Sequence, residues 1–93
     1  MVGVSVLVCA YNESKNIGPL LDNLLKQPFS NDLELKEILV AVSGSTDKTE
    51  EVVQGYAKNG NGIRLIVDKE RRGKAVAVNQ LLSEAQGDLL VFV

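Results

Sequence analysis

The segment Arg71-Arg72-Gly73-Lys74 stands out in a chain that is otherwise net negative, with 10 Lys and Arg against 12 Asp and Glu. From Arg64 to Lys74 there are five cations, opposed only by Asp68 and Glu70. Arg72 offers a planar fork of donors, Lys74 a mobile point charge, and Gly73 a backbone that a ligand can approach at the start of a helix. A diphosphate is matched by that set. From charge alone, a solvated loop is the better reading. Two other polar segments follow apolar runs, Tyr11-Asn12-Glu13-Ser14 and Ser43-Gly44-Ser45-Thr46-Asp47.

Several chemistries are excluded. The chain has no histidine, which removes Ser/His and Cys/His nucleophile pairs, His-ligated zinc and an imidazole base. A single cysteine, Cys9, closes no internal disulfide and forms no thiolate zinc site, so a reducing, cytoplasmic setting is the simpler expectation. No basic run gives the footprint of a nucleic-acid binder. The loop after the first apolar run has no glycine, so the dinucleotide fingerprint is missing. Five residues before Gly73, where a P-loop has its first glycine, stands Asp68, and Lys74 is followed by Ala75 rather than Ser or Thr, which breaks the P-loop at both ends.

These segments need a scaffold to bring them together. Val4 to Ala10, Ile38 to Val42, Ile63 to Val67 and Leu89 to Val93 are near-continuous apolar runs of strand length, the texture of parallel strands buried on both faces. Between them lie three helical patterns. The first carries Ile17, Leu20, Leu21, Leu24 and Leu25 with Pro19 in its first turn. The second runs from about Thr46 to Ala57, with Ser45 or Thr46 as cap and a stripe of Val52, Val53, Tyr56 and Ala57. The third starts near Gly73 and carries Ala75, Val76, Val78, Leu81, Leu82 and Ala85. The order βαβαβαβ predicts an α/β, Rossmann-like parallel sheet with right-handed crossovers and spatial strand order 3-2-1-4. All three polar segments then lie at C-terminal strand ends, where such sheets bind ligands. The 93 residues read as one subdomain.

The run Val4 to Glu13, the run Glu37 to Thr49, Arg71-Arg72-Gly73-Lys74-Ala75 with Asn79, and Ala85-Gln86-Gly87-Asp88 before a strand together resemble the N-terminal half of family 2 glycosyltransferases of the GT-A fold. The resemblance covers essentially the whole chain. It implies the nucleotide-sugar-binding part of an inverting glycosyltransferase, which moves a sugar from a nucleoside diphosphate to an acceptor. By that resemblance Ala10 and Tyr11 lie along the nucleobase and ribose, with the Tyr11 ring as a stacking surface. Asn12 and Glu13 shape the loop, Ser43 lies in the same site, and Arg72, Gly73 and Lys74 lie near the phosphates. A purely packing role for Tyr11 is the alternative. Ser45-Thr46-Asp47 reads better as a helix cap than as a ligand contact, and Asn79 is expected to hold the loops together.

This sequence departs from the family in one visible place. Val42-Ser43 stands where the family usually has an acidic pair, one member of which commonly reads the base. The resemblance also implies that the Asp-x-Asp metal motif and the catalytic base follow Val93 in a longer parent. No residue here is therefore assigned a catalytic or metal-binding role, and a divalent Mg or Mn ion is expected in the parent only. That parent is expected in the cytoplasm or at the cytoplasmic face of a membrane. A stand-alone nucleotide-binding or regulatory module and a flavodoxin-like interaction domain are the readings from other classes.

The strand Leu89 to Val93 is placed at an edge, with five apolar residues and no Lys, Pro or inward charge to protect it. Self-association through it is expected: at about 25 cal/mol per Å², a few hundred Å² of contact gives several kcal/mol before the entropy of association. Light scattering over a concentration series should show association that Val91→Lys suppresses. A monomer at millimolar concentration would overturn this.

Overall fold

The computed structural model describes residues 2–93. Its order is β1 (Val2–Ala10), α1 (Ile17–Lys26), β2 (Leu33–Ser43), α2 (Thr49–Ala57), β3 (Ile63–Asp68), α3 (Lys74–Glu84) and β4 (Leu89–Phe92). The four strands form one sheet in the order β3-β2-β1-β4, every pair parallel, which is the expected topology. No helix among the described residues is long and apolar enough to cross a membrane.

Two cores lie on the two faces of the sheet. Val4, Val6, Val8, Ile38, Val40 and Val42 meet Ile17 and Leu21 of α1 and Val53 of α2 on one face. On the other, Leu7, Leu39 and Ala41 meet Ala77 and Leu81 of α3. Alternation along each strand sends neighbouring residues to opposite faces, so both faces must be apolar, and the continuous runs in the sequence follow from that. The buried stripe of α3 is Ala77 and Leu81, whereas the expected Val76 and Leu82 are exposed. Small side chains at Ala77 and Ala41 set the contact surface between helix and sheet, and the larger Val76 and Leu82 turn to solvent.

Three further details differ from the sequence reading. Strand β2 begins at Leu33, five residues before the apolar run, because Glu34 and Lys36 alternate outward there. Helix α2 begins at Thr49 rather than Thr46, and its N-cap residue, Lys48, makes no side-chain cap hydrogen bond. Asn79 is exposed and holds no loop by a side-chain hydrogen bond; the loops are tied by other groups, described below.

At the N-terminal end of the sheet a polar network replaces apolar packing. The register of β1 against β2 slips between Val4/Leu35 and Ser5/Glu37, so that Lys36 is bulged out and Glu37 turns inward, 6% exposed. One Glu37 carboxylate oxygen accepts from Ser5 Oγ at 2.6 Å and from the Gln86 backbone N–H at 2.6 Å. The other accepts from Arg64 at 3.2 Å. Ser5 Oγ in turn accepts from the Gly87 N–H at 2.8 Å, and the Asp88 N–H donates to the Gly3 carbonyl at 2.7 Å. The Gln86-Gly87-Asp88 turn is thereby clasped to β1, which delivers β4 to its place beside it. Gly87 is required, since a Cβ there would lie 2.5 Å from Ser5 Oγ. Strand β4 pairs only with β1, and its side chains are exposed on both faces.

Burial pushes the Glu37 carboxyl up, but the bonds from Gln86, Ser5 and Arg64 outweigh it and leave the group below its ordinary value. A depressed carboxylate stabilises the fold above its unfolded pKa, near 4.3, and loses that contribution as pH falls through the folded value. Glu37→Gln should therefore cost about 1–3 kcal/mol at neutral pH and flatten the acid limb of a urea-stability profile. Arg64→Ala should cost less, about 1 kcal/mol at most, because the arginine is itself 43% exposed. Equal losses would show that the ion pair, not the buried hydrogen bonds, holds the turn.

Candidate functional site

The C-terminal ends of the strands open into a cavity of about 410 Å³, within the range of small-molecule sites. Its floor is apolar, from Leu7, Cys9 and Ala41, and its rim carries Tyr11, Glu13, Arg71 and Lys74. Burial raises the Cys9 thiol pKa, with the Lys74 ammonium opposing it. A second cavity lies on the α1 side of the same strand end and shares Cys9, Ala10, Glu13 and Val93 with the first.

The loop after β1 is shaped by Asn12, whose φ of +50° lies in the left-handed region that asparagine tolerates better than most residues. Its side chain then reaches across to the loop after β2. Asn12 Oδ1 accepts from the Thr46 N–H at 2.8 Å, and the Asn12 N–H donates to Ser45 Oγ at 3.1 Å. The Glu13 N–H donates to buried Thr49 Oγ1 at 2.8 Å, and the Ser14 N–H donates to Asp47 Oδ2 at 3.2 Å. Asp47 Oδ1 accepts from the Thr49 N–H and hydroxyl. These bonds overturn the reading of Ser45 and Thr46 as caps: both are drawn into the loop contact, leaving Asp47 alone to meet the start of α2. The Thr49 hydroxyl and the N–H groups of Thr49 and Ser14 hold the Asp47 carboxyl at about 2, against 3.8 for the free group.

The loop after β3 is held from below. The Gly44 N–H donates to the Asp68 carbonyl at 2.7 Å, and Ser43 Oγ donates to the Glu70 carbonyl at 3.2 Å. Gly44 has φ +61°, and a Cβ there would lie 2.6 Å from the Arg71 backbone nitrogen. The loop thus folds onto a position where no side chain fits. This sets Arg71 over the cavity, its guanidinium 3.7 Å from the centre of the Tyr11 ring.

The expected site residues divide as follows. Ala10, Tyr11, Glu13, Ser43, Gly73 and Lys74 line the cavity together; Asn12 and Arg72 do not. Asn12 works behind the wall, tying two loops. Arg72 is turned away because Asp68 takes its Nε at 2.8 Å and Glu70 its terminal nitrogen at 3.2 Å. Arg71 occupies the rim instead. Among the described residues, Arg64, Lys69 and Arg72 are paired with carboxylates, while Arg71 and Lys74 form no such bridge and both face the cavity. The spacing of Asp68 and Glu70 before Arg72 was the available signal for that division. Nothing in the order of residues announces the contact between Asn12 and Ser45.

A divalent ion does not fit the residues present. Among the described residues no three acidic, Cys or His side chains come together as a ligand set, and Glu13 is the sole carboxylate on the cavity wall.

Comparison with known proteins adds an independent finding. The family model described as glycosyl transferase family 2 matches residues 5–93. A dolichyl-phosphate beta-glucosyltransferase of Trichomonas vaginalis is 38% identical over 96 residues, which cover 99% of this chain and 28% of the relative. A mannosyltransferase from Pyrobaculum calidifontis, solved with GDP-Man and Mn²⁺, superposes with a TM-score of 0.80 at 38% identity, over 94% of this chain and 25% of that one. Glucosyl-3-phosphoglycerate synthase from Mycobacterium tuberculosis, solved with Mn²⁺, UDP and phosphoglyceric acid, gives 0.71 at 29% identity, over 99% and 32%. The chain spans a quarter to a third of the length of these proteins.

The role of Gly44 can be isolated by comparison with Gly60, which has φ +69° but nothing within 4 Å of its would-be Cβ. Gly60→Ala should show only the left-handed backbone penalty, about 1–2 kcal/mol. Gly44→Ala should lose clearly more in urea denaturation and should shift the amide resonance of Arg71. Matching losses would mean that the loop after β3 does not depend on the contact.

Proposed function

The chain belongs to glycosyltransferase family 2, and from that premise we propose that it forms the donor-nucleotide part of an inverting transferase using a nucleoside-diphosphate sugar. The observation that carries this reading is the pair of unbridged cations, Arg71 and Lys74, on an open cavity at the C-terminal strand ends. In a chain of net charge −2, that placement selects an anion. Lys74 opens α3 directly after Gly73, which has φ +97° and nothing within 4 Å of where a Cβ would lie. A diphosphate placed there meets an ammonium and the positive end of a helix together. The apolar floor and the Tyr11 ring suit the flat, less polar nucleoside.

In such a transfer the acceptor oxygen bonds to the anomeric carbon as the bond to the diphosphate oxygen breaks, and the leaving diphosphate gains a charge. Cations on this rim offset that charge through the field they impose. The proton of the acceptor must go to a base, which this chain's residues do not supply at the cavity in any assigned role. The metal and the base belong, in this proposal, to the remainder of a larger domain, in keeping with the share of its relatives that the chain spans.

Calorimetric titration with UDP, GDP and the corresponding nucleosides tests the reading. The diphosphates should bind at least tenfold more tightly than the nucleosides, with affinity falling as salt is added. Lys74→Gln should weaken the diphosphates about tenfold, or 1.4 kcal/mol, and leave the nucleosides unchanged. Diphosphates that bind no better than nucleosides would refute an anion site on this rim.

A further inference from the structure

The turn between α2 and β3 holds the same pair twice in succession, Asn59-Gly60 and Asn61-Gly62, and neither pair lines the cavity at the other end of the sheet. Asparagine is a thermolabile residue. Its side-chain carboxamide can be attacked by the amide nitrogen of the next residue, and a glycine there, having no Cβ, leaves that approach uncovered. Residue types alone treat the two pairs alike. The fold does not.

Asn59 and Gly60 are exposed. The Asn59 N–H still bonds back to the Tyr56 carbonyl at 3.1 Å, but among the described residues the Gly60 N–H makes no backbone hydrogen bond. Gly60 has φ +69° and nothing within 4 Å of where a Cβ would lie, so the attacking nitrogen is open and its surroundings leave room to move. Asn61 is half-buried instead. Its Oδ1 accepts from the Ile63 N–H at 3.4 Å, two residues on, which holds the carboxamide toward β3. The Gly62 carbonyl accepts from the Ile38 N–H at 2.9 Å, where β3 first joins β2. Closing a ring between Asn61 and Gly62 turns the peptide plane between them and pulls Gly62 from that bond.

We propose that Asn59 is a site of spontaneous deamidation in the folded chain and that Asn61 is protected from it. The Gly60 nitrogen bonds to Asn59 Cγ, and the carboxamide nitrogen leaves as ammonia with the proton that the Gly60 nitrogen gives up. A succinimide ring results. One water then opens the ring: its oxygen adds to one of the two ring carbonyl carbons, the bond from that carbon to the Gly60 nitrogen breaks, and the nitrogen regains a proton. Opening at Cγ leaves aspartate, whereas opening at the backbone carbon leaves isoaspartate, with the main chain routed through the side chain. The open surroundings of Gly60 accommodate the extra backbone atom. Either product adds one negative charge to a chain of net charge −2. That charge sits just past the last turn of α2, beside the negative end of the helix dipole. The inference stands apart from the nucleotide reading, since this turn and the cavity lie at opposite ends of the strands.

The test incubates the folded chain, and the same chain unfolded in guanidinium chloride, in mildly alkaline buffer. Cleavage after Lys58 and Arg64 releases residues 59–64 as one peptide, whose fragment masses separate the two asparagines. In the unfolded chain the two positions should react within about threefold of each other, and in the folded chain Asn59 should outpace Asn61 by about tenfold or more. Isoaspartate should accompany aspartate at position 59, because only ring opening produces it. Asn59→Gln, which must close a larger ring and keeps the glycine of the turn, should remove most of the acidic species seen by ion-exchange chromatography. Asn61→Gln should leave that species in place. Equal rates at the two positions of the folded chain would overturn the proposal, as would aspartate without isoaspartate. A folded chain that stays intact at Asn59 while the unfolded chain reacts at both positions would overturn it as well.

Discussion

The cavity depends on a missing side chain. At Gly44 the loop after β2 turns through a positive φ, and the loop after β3 comes down on the same spot, within 2.6 Å of where a Cβ would be. Neither loop holds this shape alone, since each is short and carries few apolar groups. They support each other through the Gly44 N–H on the Asp68 carbonyl and Ser43 Oγ on the Glu70 carbonyl. The loop after β1 joins them from the other side, through Asn12, Glu13 and Ser14. Three loops from three strands thus become one surface, and the middle one is the keystone because it touches both neighbours.

The opposite end of the sheet solves a different problem with the same economy. Strand β4 is only four residues long, pairs with β1 along one edge and has its four residues exposed, so its own packing cannot decide where it lies. Glu37 decides it. A buried carboxylate demands donors, and the donors within reach are Ser5 Oγ, the Gln86 N–H and Arg64. Satisfying the charge requires the turn before β4 to sit against β1. The bulge at Lys36 is what turns Glu37 inward in the first place. A local irregularity in one strand pair therefore places the strand on the far side of its partner.

Much of this was legible in the residues. The four apolar runs and three helical stripes specify the order of elements, and crossover handedness with the usual placement of a fourth strand leads to 3-2-1-4. What periodicity reads is burial, so it fails where burial and structure part. The first half of β2 has charged residues at Glu34, Lys36 and Glu37 and looks like a loop, yet it pairs with β1 from Leu33 onward. Ser45 and Thr46 look like caps because their types fit, and cap chemistry is local. In the fold a more distant partner, Asn12, reaches them first, and sequence spacing holds no record of such a contact.

The same limit explains the exchange of Arg72 for Arg71. Adjacent arginines in a loop have equal claims on a cavity when judged by type, and the choice between them is made by competitors. Asp68 and Glu70 both lie on the side that Arg72 faces, and both contacts are made by an arginine that remains 53% exposed. Such pairs contribute little stability, but they remove a cation from the site. Arg71 is left with an aromatic face instead of a carboxylate, so its charge stays uncompensated where a ligand can meet it. Weak surface pairs of this kind matter less for holding the fold than for deciding which positive charges remain available at the cavity.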